Sequence, residues 1–111
     1  MVILISCRNR ISEDEAKKEL QKALTDKTEP NLIDSNKVLI KEKGTAIALA
    51  EPILFEIYGK DNIERQQPYD VYNIDKHWII SGTIPNYSNG GTFIFIMDSR
   101  NGRILKIMHG K

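Results

Sequence analysis

The chain has 111 residues and a formal net charge of +1, with 28% charged and 41% hydrophobic residues. This is an ordinary balance for one globular domain that is large enough to bury a core. Because acids and bases nearly cancel, the composition argues against a globally basic nucleic-acid-binding protein. The single cysteine, Cys7, excludes an internal disulfide and a cysteine-based metal site.

The first ten residues have features of a lipoprotein signal. In the segment 4–7 (LISC), apolar and small residues precede Cys7, which would carry the lipid. A complete signal also needs a basic stretch and a longer apolar run upstream, and neither precedes this segment here. Two interpretations stay open: a membrane-anchored lipoprotein whose start lies further upstream, or a chance match in a cytoplasmic protein. We predict a leader or disordered arm over 1–10 and one domain over 11–111.

The first helix is predicted over about 13–24. Ser12 and Glu15 have the spacing of a capping box, in which each residue satisfies a backbone N–H of the other. Ala16, Leu20 and Leu24 recur every four residues and form a narrow apolar stripe. We therefore expect this helix to dock by one edge only.

The second helix, predicted over about 42–58, has the strongest helical pattern in the chain. Pro52 removes one N–H, which predicts a kink or break near residues 48–51. Gly59 stands where a helix-ending residue with positive φ is expected. The helix should cover a sheet with a broad apolar face made of Ala46, Ile47, Ala50, Ile53, Leu54, Ile57 and Tyr58.

Four short runs of β-branched and aromatic residues, separated by turn residues, occupy about 69–109 and predict an antiparallel meander. Asp75 and Lys76 form the first turn, and the pair Asn101–Gly102 suits the last hairpin. The run 92–97 is apolar at successive positions, so this strand should be central and covered on both faces. The fold class is therefore α+β, with helices packed on one antiparallel sheet.

Signs of catalysis are few. His77 and His109 lack metal-binding spacing, and we interpret both as strand residues that face solvent. Trp78 is predicted to lie in the core, with its indole N–H bonded to a partner. The sequence predicts no cofactor, no metal and no catalytic residue. The polar residues available to a pocket on the sheet are Ser81, Thr83, Thr92 and Asp98.

Two loops are candidate partner-binding sites. In the loop 85–91, Tyr87 offers an aromatic anchor, with Asn86 and Asn89 as a polar rim. In the last hairpin, Arg100 and Arg103 belong to a segment that has no acid after Asp98, and this basic side would suit an acidic partner.

Six short segments, in this order and spacing, resemble one protein family. Together they resemble the small immunity proteins of bacterial polymorphic toxin systems, which have a nuclear-transport-factor-two-like fold. The resemblance covers about residues 38–111. The segments are 45–51 (TAIALAE), 57–60 (IYGK), 67–69 (QPY), 78–85 (WIISGTIP), 90–93 (GGTF) and 109–111 (HGK).

The resemblance implies a curved, cone-shaped sheet wrapped by helices, and a non-catalytic protein that binds and neutralises a cognate toxin. It transfers no active-site residue and no toxin-contacting surface, because such surfaces must differ between cognate pairs to give specificity. The alternative is a small-molecule-binding or enzymatic member of the same fold. A third hypothesis is a nucleic-acid binder that uses the basic hairpin, although it lacks aromatic residues interleaved in a basic groove.

Overall fold

The computed structural model describes residues 10–84 and 90–110. The chain forms two compact units, residues 1–34 and residues 35–111, and each is described by itself. Apart from Arg10, the predicted leader and its lipidation candidate Cys7 lie outside the described residues. The division at residue 10 and the lipid anchor therefore stay predictions.

The first unit contains α1 (Glu13–Thr25) and a short 3-10 helix (Leu32–Asp34). The predicted capping box is present. Ser12 Oγ accepts a hydrogen bond from the N–H of Glu15 at 3.1 Å, and the N–H of Ser12 donates to Glu15 Oε1 at 2.9 Å. Leu20 and Leu24 are 60% and 63% exposed, and the docking expected of this helix stays a prediction.

The second unit begins its regular structure with α2 (Lys43–Tyr58), which buries Ala46, Ala50 and Leu54 at intervals of four residues. The helix runs through Pro52 without a break, and the other predicted outcome, a kink, stays a prediction. Pro52 and Ala48 are both exposed. Water can therefore bond the Ala48 carbonyl that a proline four residues later leaves without its helical donor.

One residue that the sequence assigned to the covered apolar face of α2, Ile57, lies outside that face. Ile57 is 52% exposed, because it continues the line of Leu49 and Ile53 beside the buried line of the helix. Gly59 ends the helix with φ of 89°, and its N–H donates to the Phe55 carbonyl at 2.9 Å. A further short helix, α3 (Lys60–Glu64), follows at once and buries Ile63.

The sheet contains four antiparallel strands in chain order: β1 (Asp70–Ile74), β2 (His77–Ser81), β3 (Phe93–Asp98) and β4 (Ile104–His109). This confirms the predicted α+β meander. Asp75 and Lys76 connect β1 to β2, and both have positive φ, as a two-residue hairpin turn requires. The central place predicted for the 92–97 strand is confirmed by β3, which pairs with β2 and β4.

The two faces of the sheet differ in burial. Trp78 lies opposite Met97 and Ile80 opposite Phe95, and these side chains form the core with the buried residues of α2 and α3. On the other face, Ile94 and Ile96 are only half-buried. The expectation that β3 is covered on both faces is therefore correct for the face that packs against α2 and only partly correct for the opposite face.

Trp78 holds the segment before α2 against the sheet. The residue is 7% exposed, and its indole N–H donates to the Ile40 carbonyl at 2.9 Å. The N–H of Ile40 donates to the Ser99 carbonyl, also at 2.9 Å. The predicted core position of Trp78, with a partner for its N–H, is confirmed.

A buried glutamine holds the opposite end of the sheet. Gln66 is 2% exposed, and its Oε1 accepts from the N–H of Phe93 at 3.0 Å. Its Nε2 lies 3.0 Å from His109 Nε2, and its carbonyl accepts from the N–H of Thr83 at 2.8 Å. A Cβ atom placed on Gly82 would collide with the Gln66 side chain. We call this set of contacts the Gln66 clamp.

Trp78→Ala should lower the free energy of unfolding by about 3–5 kcal/mol, because it empties a large core site. Trp78→Phe keeps a ring but leaves the Ile40 carbonyl without its donor, and should cost about 1–3 kcal/mol. Urea denaturation followed by circular dichroism measures both values. Equal stability of Trp78→Phe and wild type would show that the indole hydrogen bond contributes nothing.

Gly82→Ala should destabilise the protein by about 1–3 kcal/mol, because its methyl group must displace the Gln66 side chain. The matched control is Gly44→Ala in α2, where an added Cβ meets no atom within 4 Å. That change should be neutral or stabilise by up to about 1 kcal/mol. In thermal unfolding, the midpoint of Gly82→Ala should therefore fall below that of wild type, whereas the midpoint of Gly44→Ala should stay the same or rise.

Candidate partner-binding surface

Only part of the predicted binding residues can be placed in the structure. Asn86, Tyr87 and Asn89 belong to residues 85–89, outside the described residues, and their role stays a prediction. Arg100 and Arg103 lie in the turn between β3 and β4, and both are exposed.

The Arg100 side chain is engaged within the turn itself. Its Nε and Nη2 donate to the two carboxylate oxygens of Asp98 at 3.0 and 2.7 Å, and its backbone N–H donates to Oδ1 at 2.8 Å. These bonds from Arg100 lower the pKa of the Asp98 carboxyl to about 2. Asp98 is therefore an ionised structural partner, and it neutralises much of the charge that Arg100 was expected to offer to a partner.

The turn is also tied to its neighbours. Ser99 donates from both its N–H and its Oγ to the Lys76 carbonyl, at 2.9 and 2.8 Å. The Ser99 carbonyl accepts from Ile40. The backbone N–H of Arg103 donates to Asn101 Oδ1 at 2.9 Å, so the backbone of Arg103 is held in place while its side chain is exposed. The hairpin, the first turn and the Ile40 segment therefore form one hydrogen-bonded assembly.

Beside this assembly lies an apolar groove of about 300 Å³, which we call the hairpin groove. It opens between α2 and β4, where Ile104 lies opposite Met97 at the edge of the sheet. Leu39, Leu49 and Ile104 on its rim are 38%, 44% and 40% exposed. The remaining rim residues are Ile53, Asn101 and Gly102, and the floor is formed by Ile40, Phe95 and Met97.

The second face of the sheet is a second apolar surface, which we call the open face. Tyr72, Ile79, Ile96 and Lys106 form one row across the four strands. Tyr72 is 59% exposed, whereas Ile79 and Ile96 are half-buried. Ile74, Ile94 and Met108 extend this surface.

The two histidines have distinct structural partners. Because Gln66 Oε1 accepts from Phe93, its Nε2 must donate to His109, whose Nδ1 then carries the proton and donates to the Gly110 carbonyl at 2.7 Å. His109 is therefore a half-buried part of the Gln66 clamp and does not simply face solvent. His77 donates from Nδ1 to the Asp75 carbonyl at 2.7 Å.

Asp98, the acid among the polar residues considered for a catalytic pocket, lies away from Ser81. The pairing places Ser81 opposite Ile94 and Asp98 opposite His77, so they are four residues apart along the strands, roughly 13 Å. Thr83 Oγ1 donates to the Pro68 carbonyl at 2.9 Å. In the part of the chain that the structure describes, no three His, Cys, Asp or Glu residues are grouped as metal ligands would be.

Sequence reasoning missed both the hairpin groove and the Gln66 clamp. The groove needs the pairing of Ile104 with Met97 and the exposed line of α2, which are known only from the packed structure. The clamp residue lies in a polar stretch, 61–67, that has no pattern indicating burial. No helix among residues 10–84 and 90–110 is long and apolar enough to cross a membrane.

The second unit is thus a four-stranded antiparallel sheet packed against α2 and α3, with an apolar groove beside its last hairpin. Residues 45–111 match the family model described as NTF2 fold immunity protein. The chain belongs to this family, which confirms the resemblance seen in the sequence.

Two curated proteins of Escherichia coli are similar to this chain. The uncharacterized protein YhhH is 38% identical over 74 residues, which cover 66% of this chain and 58% of that protein. The uncharacterized protein YbbC is 32% identical over 78 residues, which cover 69% of this chain and 64% of that protein. The aligned part is thus less than two thirds of either relative. No solved structure matches the chain.

Asp98→Asn should change how stability depends on pH. The folded pKa of Asp98 is depressed, so its contribution to stability is complete above about pH 4, the ordinary value for Asp, and is lost as pH falls towards about 2. Between these pH values wild type should lose more stability than Asp98→Asn. Denaturant titrations at several pH values measure the difference.

Arg100→Gln is the companion variant, because it removes the guanidinium, the largest cause of the depressed Asp98 pKa, and keeps the backbone N–H that also bonds Asp98. This variant should therefore partly flatten the dependence of stability on pH between about pH 2 and pH 4. An unchanged pH dependence in both variants would mean that the Asp98–Arg100 pair does not contribute to folding.

Proposed function

We propose that the protein neutralises a bacterial toxin by binding it, and that it does so without catalysis. The single observation that carries the proposal is membership of the immunity protein family over residues 45–111. An immunity protein of this kind acts by occupying a surface of its toxin, so it needs a stable scaffold with an accessible patch. The filled core around Phe93 and Phe95 supports the first requirement, and the hairpin groove and open face support the second.

The electrostatics of the site favour binding over chemistry. A pocket acid that transfers protons near neutral pH usually has a raised pKa. Asp98 has the opposite shift, caused by its hydrogen bonds from Arg100. The pKa of Tyr69 is raised by burial and by its bond to Glu51, so its hydroxyl stays protonated and donates a hydrogen bond to the Glu51 carboxylate at 2.7 Å.

The alternative is a small-molecule-binding or enzymatic protein of the same fold. The observation in its favour is the apolar hairpin groove between helix and sheet. Its volume of about 300 Å³ lies at the lower limit of small-molecule sites, which span roughly 300–1,000 Å³. The groove also opens widely at the rim, where Leu39, Leu49 and Ile104 are exposed, whereas such sites usually enclose most of their ligand.

The proposal is tested by co-expression in a sensitive host with each toxin gene found beside the gene for this protein. We expect survival with one such toxin, and co-purification of the two proteins as a complex. Failure to protect against, or bind, any neighbouring toxin would remove the proposal.

Stoichiometry then separates binding from catalysis. When both proteins are well above their dissociation constant, each molecule of a binding antidote neutralises at most one molecule of toxin. Complete protection by the purified protein at amounts far below equimolar would favour the enzymatic alternative.

A further inference from the structure

We propose that the hairpin groove receives one large apolar side chain of the toxin, and that carboxylates of the toxin flank this side chain. The inference rests on the proposed function and specifies which surface performs it. The groove is a single apolar recess rather than a flat patch, since its rim lies on α2, on β4 and on the segment at Leu39. Its size suits one aromatic or long aliphatic side chain.

The charges around the groove indicate the chemistry of the partner. The chain segments beside its mouth, 39–43 and 98–104, contain two acids, Glu42 and Asp98. Asp98 is already paired with Arg100. With that pair set aside, the same segments contain three further cations, Lys41, Lys43 and Arg103, against one acid, Glu42. An acidic rim on the partner would therefore complement this mouth and speed the encounter.

The rim on the hairpin side is preorganised. Asn101 and Gly102 belong to the turn that the bonds from Arg100, Ser99 and Ile40 hold in place. A partner that enters the groove therefore does not have to order this loop, and the entropy cost of binding is reduced. Hot spots of protein interfaces are typically such preformed recesses filled by one anchor residue.

The open face is the competing surface. It offers Tyr72 and Ile74, 59% and 54% exposed, but its central residues Ile79 and Ile96 are half-buried in a flat row. Its row ends in one cation, Lys106, whereas the segments beside the mouth of the groove have three outside the Asp98–Arg100 pair. We therefore assign the toxin to the groove, and use the open face as the control.

The first test compares two double variants, each of which removes two exposed large side chains. Leu49→Ser/Ile104→Ser alters the groove rim, and Tyr72→Ser/Ile74→Ser alters the open face. With the toxin that passes the co-expression test, the groove variant should bind at least about tenfold more weakly, and the open-face variant within about twofold of wild type. The reverse order would overturn the inference and leave the proposed function intact.

A charge variant guards against misfolding of the groove variant, because Arg103 is exposed. Arg103→Glu should weaken toxin binding by about tenfold at low salt, and the difference should shrink as ionic strength rises. The matched control, Arg65→Glu, reverses an exposed arginine at the end of α3 and should bind like wild type. Equal binding by Arg103→Glu and wild type would overturn the acidic-partner part of the inference.

A second experiment needs no toxin, so it separates failure of the groove from failure of the proposed function. The probe is the capped peptide Asp-Glu-Trp-Glu-Asp, titrated to about 10 mM into the isotope-labelled protein, since one anchor residue gives only millimolar affinity. Amide signals of Leu49, Gly102 and Ile104 should shift. The peptide with Ser in place of Trp, and the one with Lys in place of its acids, should shift them less.

The peptide results decide the matter in either direction. Unshifted groove signals at the highest concentration, or shifts confined to Tyr72, Ile79 and Met108, would overturn the inference even if the protein protects against a toxin. Shifts at the groove support it even if the neighbouring toxins prove to be the wrong ones.

Discussion

The hydrogen bonds of one residue, Ile40, determine the geometry of the candidate site. Its carbonyl accepts the indole N–H of Trp78, and its N–H donates to Ser99 in the last hairpin. The chain before α2 is thereby fixed to β2 and to the β3–β4 turn at the same time. Because Leu39 precedes Ile40 and Gly102 follows Ser99 by three residues, these two bonds place both sides of the groove rim.

The Gln66 clamp has the corresponding role at the other end of the sheet. It joins the segment after α3 to the start of β3 and the end of β4, which are far apart in sequence. Buried amides of this kind must satisfy their hydrogen bonds, since an unsatisfied buried polar group costs about 1–3 kcal/mol. Polar contacts thus tie a further segment of the chain to each end of the sheet, and the apolar core between them supplies most of the stabilisation.

The elements that the sequence predicted well are those fixed by local patterns. The capping box at Ser12, the turn at Asp75 and the order of the strands all follow from residue types at short spacing. An error arose where packing decides: Ile57, assigned to the apolar face of α2, stays exposed. Among the site residues, Arg100 was foreseen as basic, but its pairing with Asp98 depends on the folded turn. The groove depends on which part of β4 the helix leaves uncovered, and short-range patterns do not contain that information.

In the last turn, the residues that hold the backbone differ from those that are exposed to a partner, which suits specific recognition. The backbone of the last turn is held by bonds from Ser99, from Arg100 to Asp98, and from Gly102 to the Asp98 carbonyl at 2.8 Å. The Arg103 side chain, which is exposed, is not needed for those bonds. It can therefore change in charge or size while the turn keeps its shape, and so can the exposed rim residues Leu39 and Leu49. A rigid recess with replaceable rim residues can discriminate between related toxins without a change of fold, because specificity needs only a difference in affinity between partners.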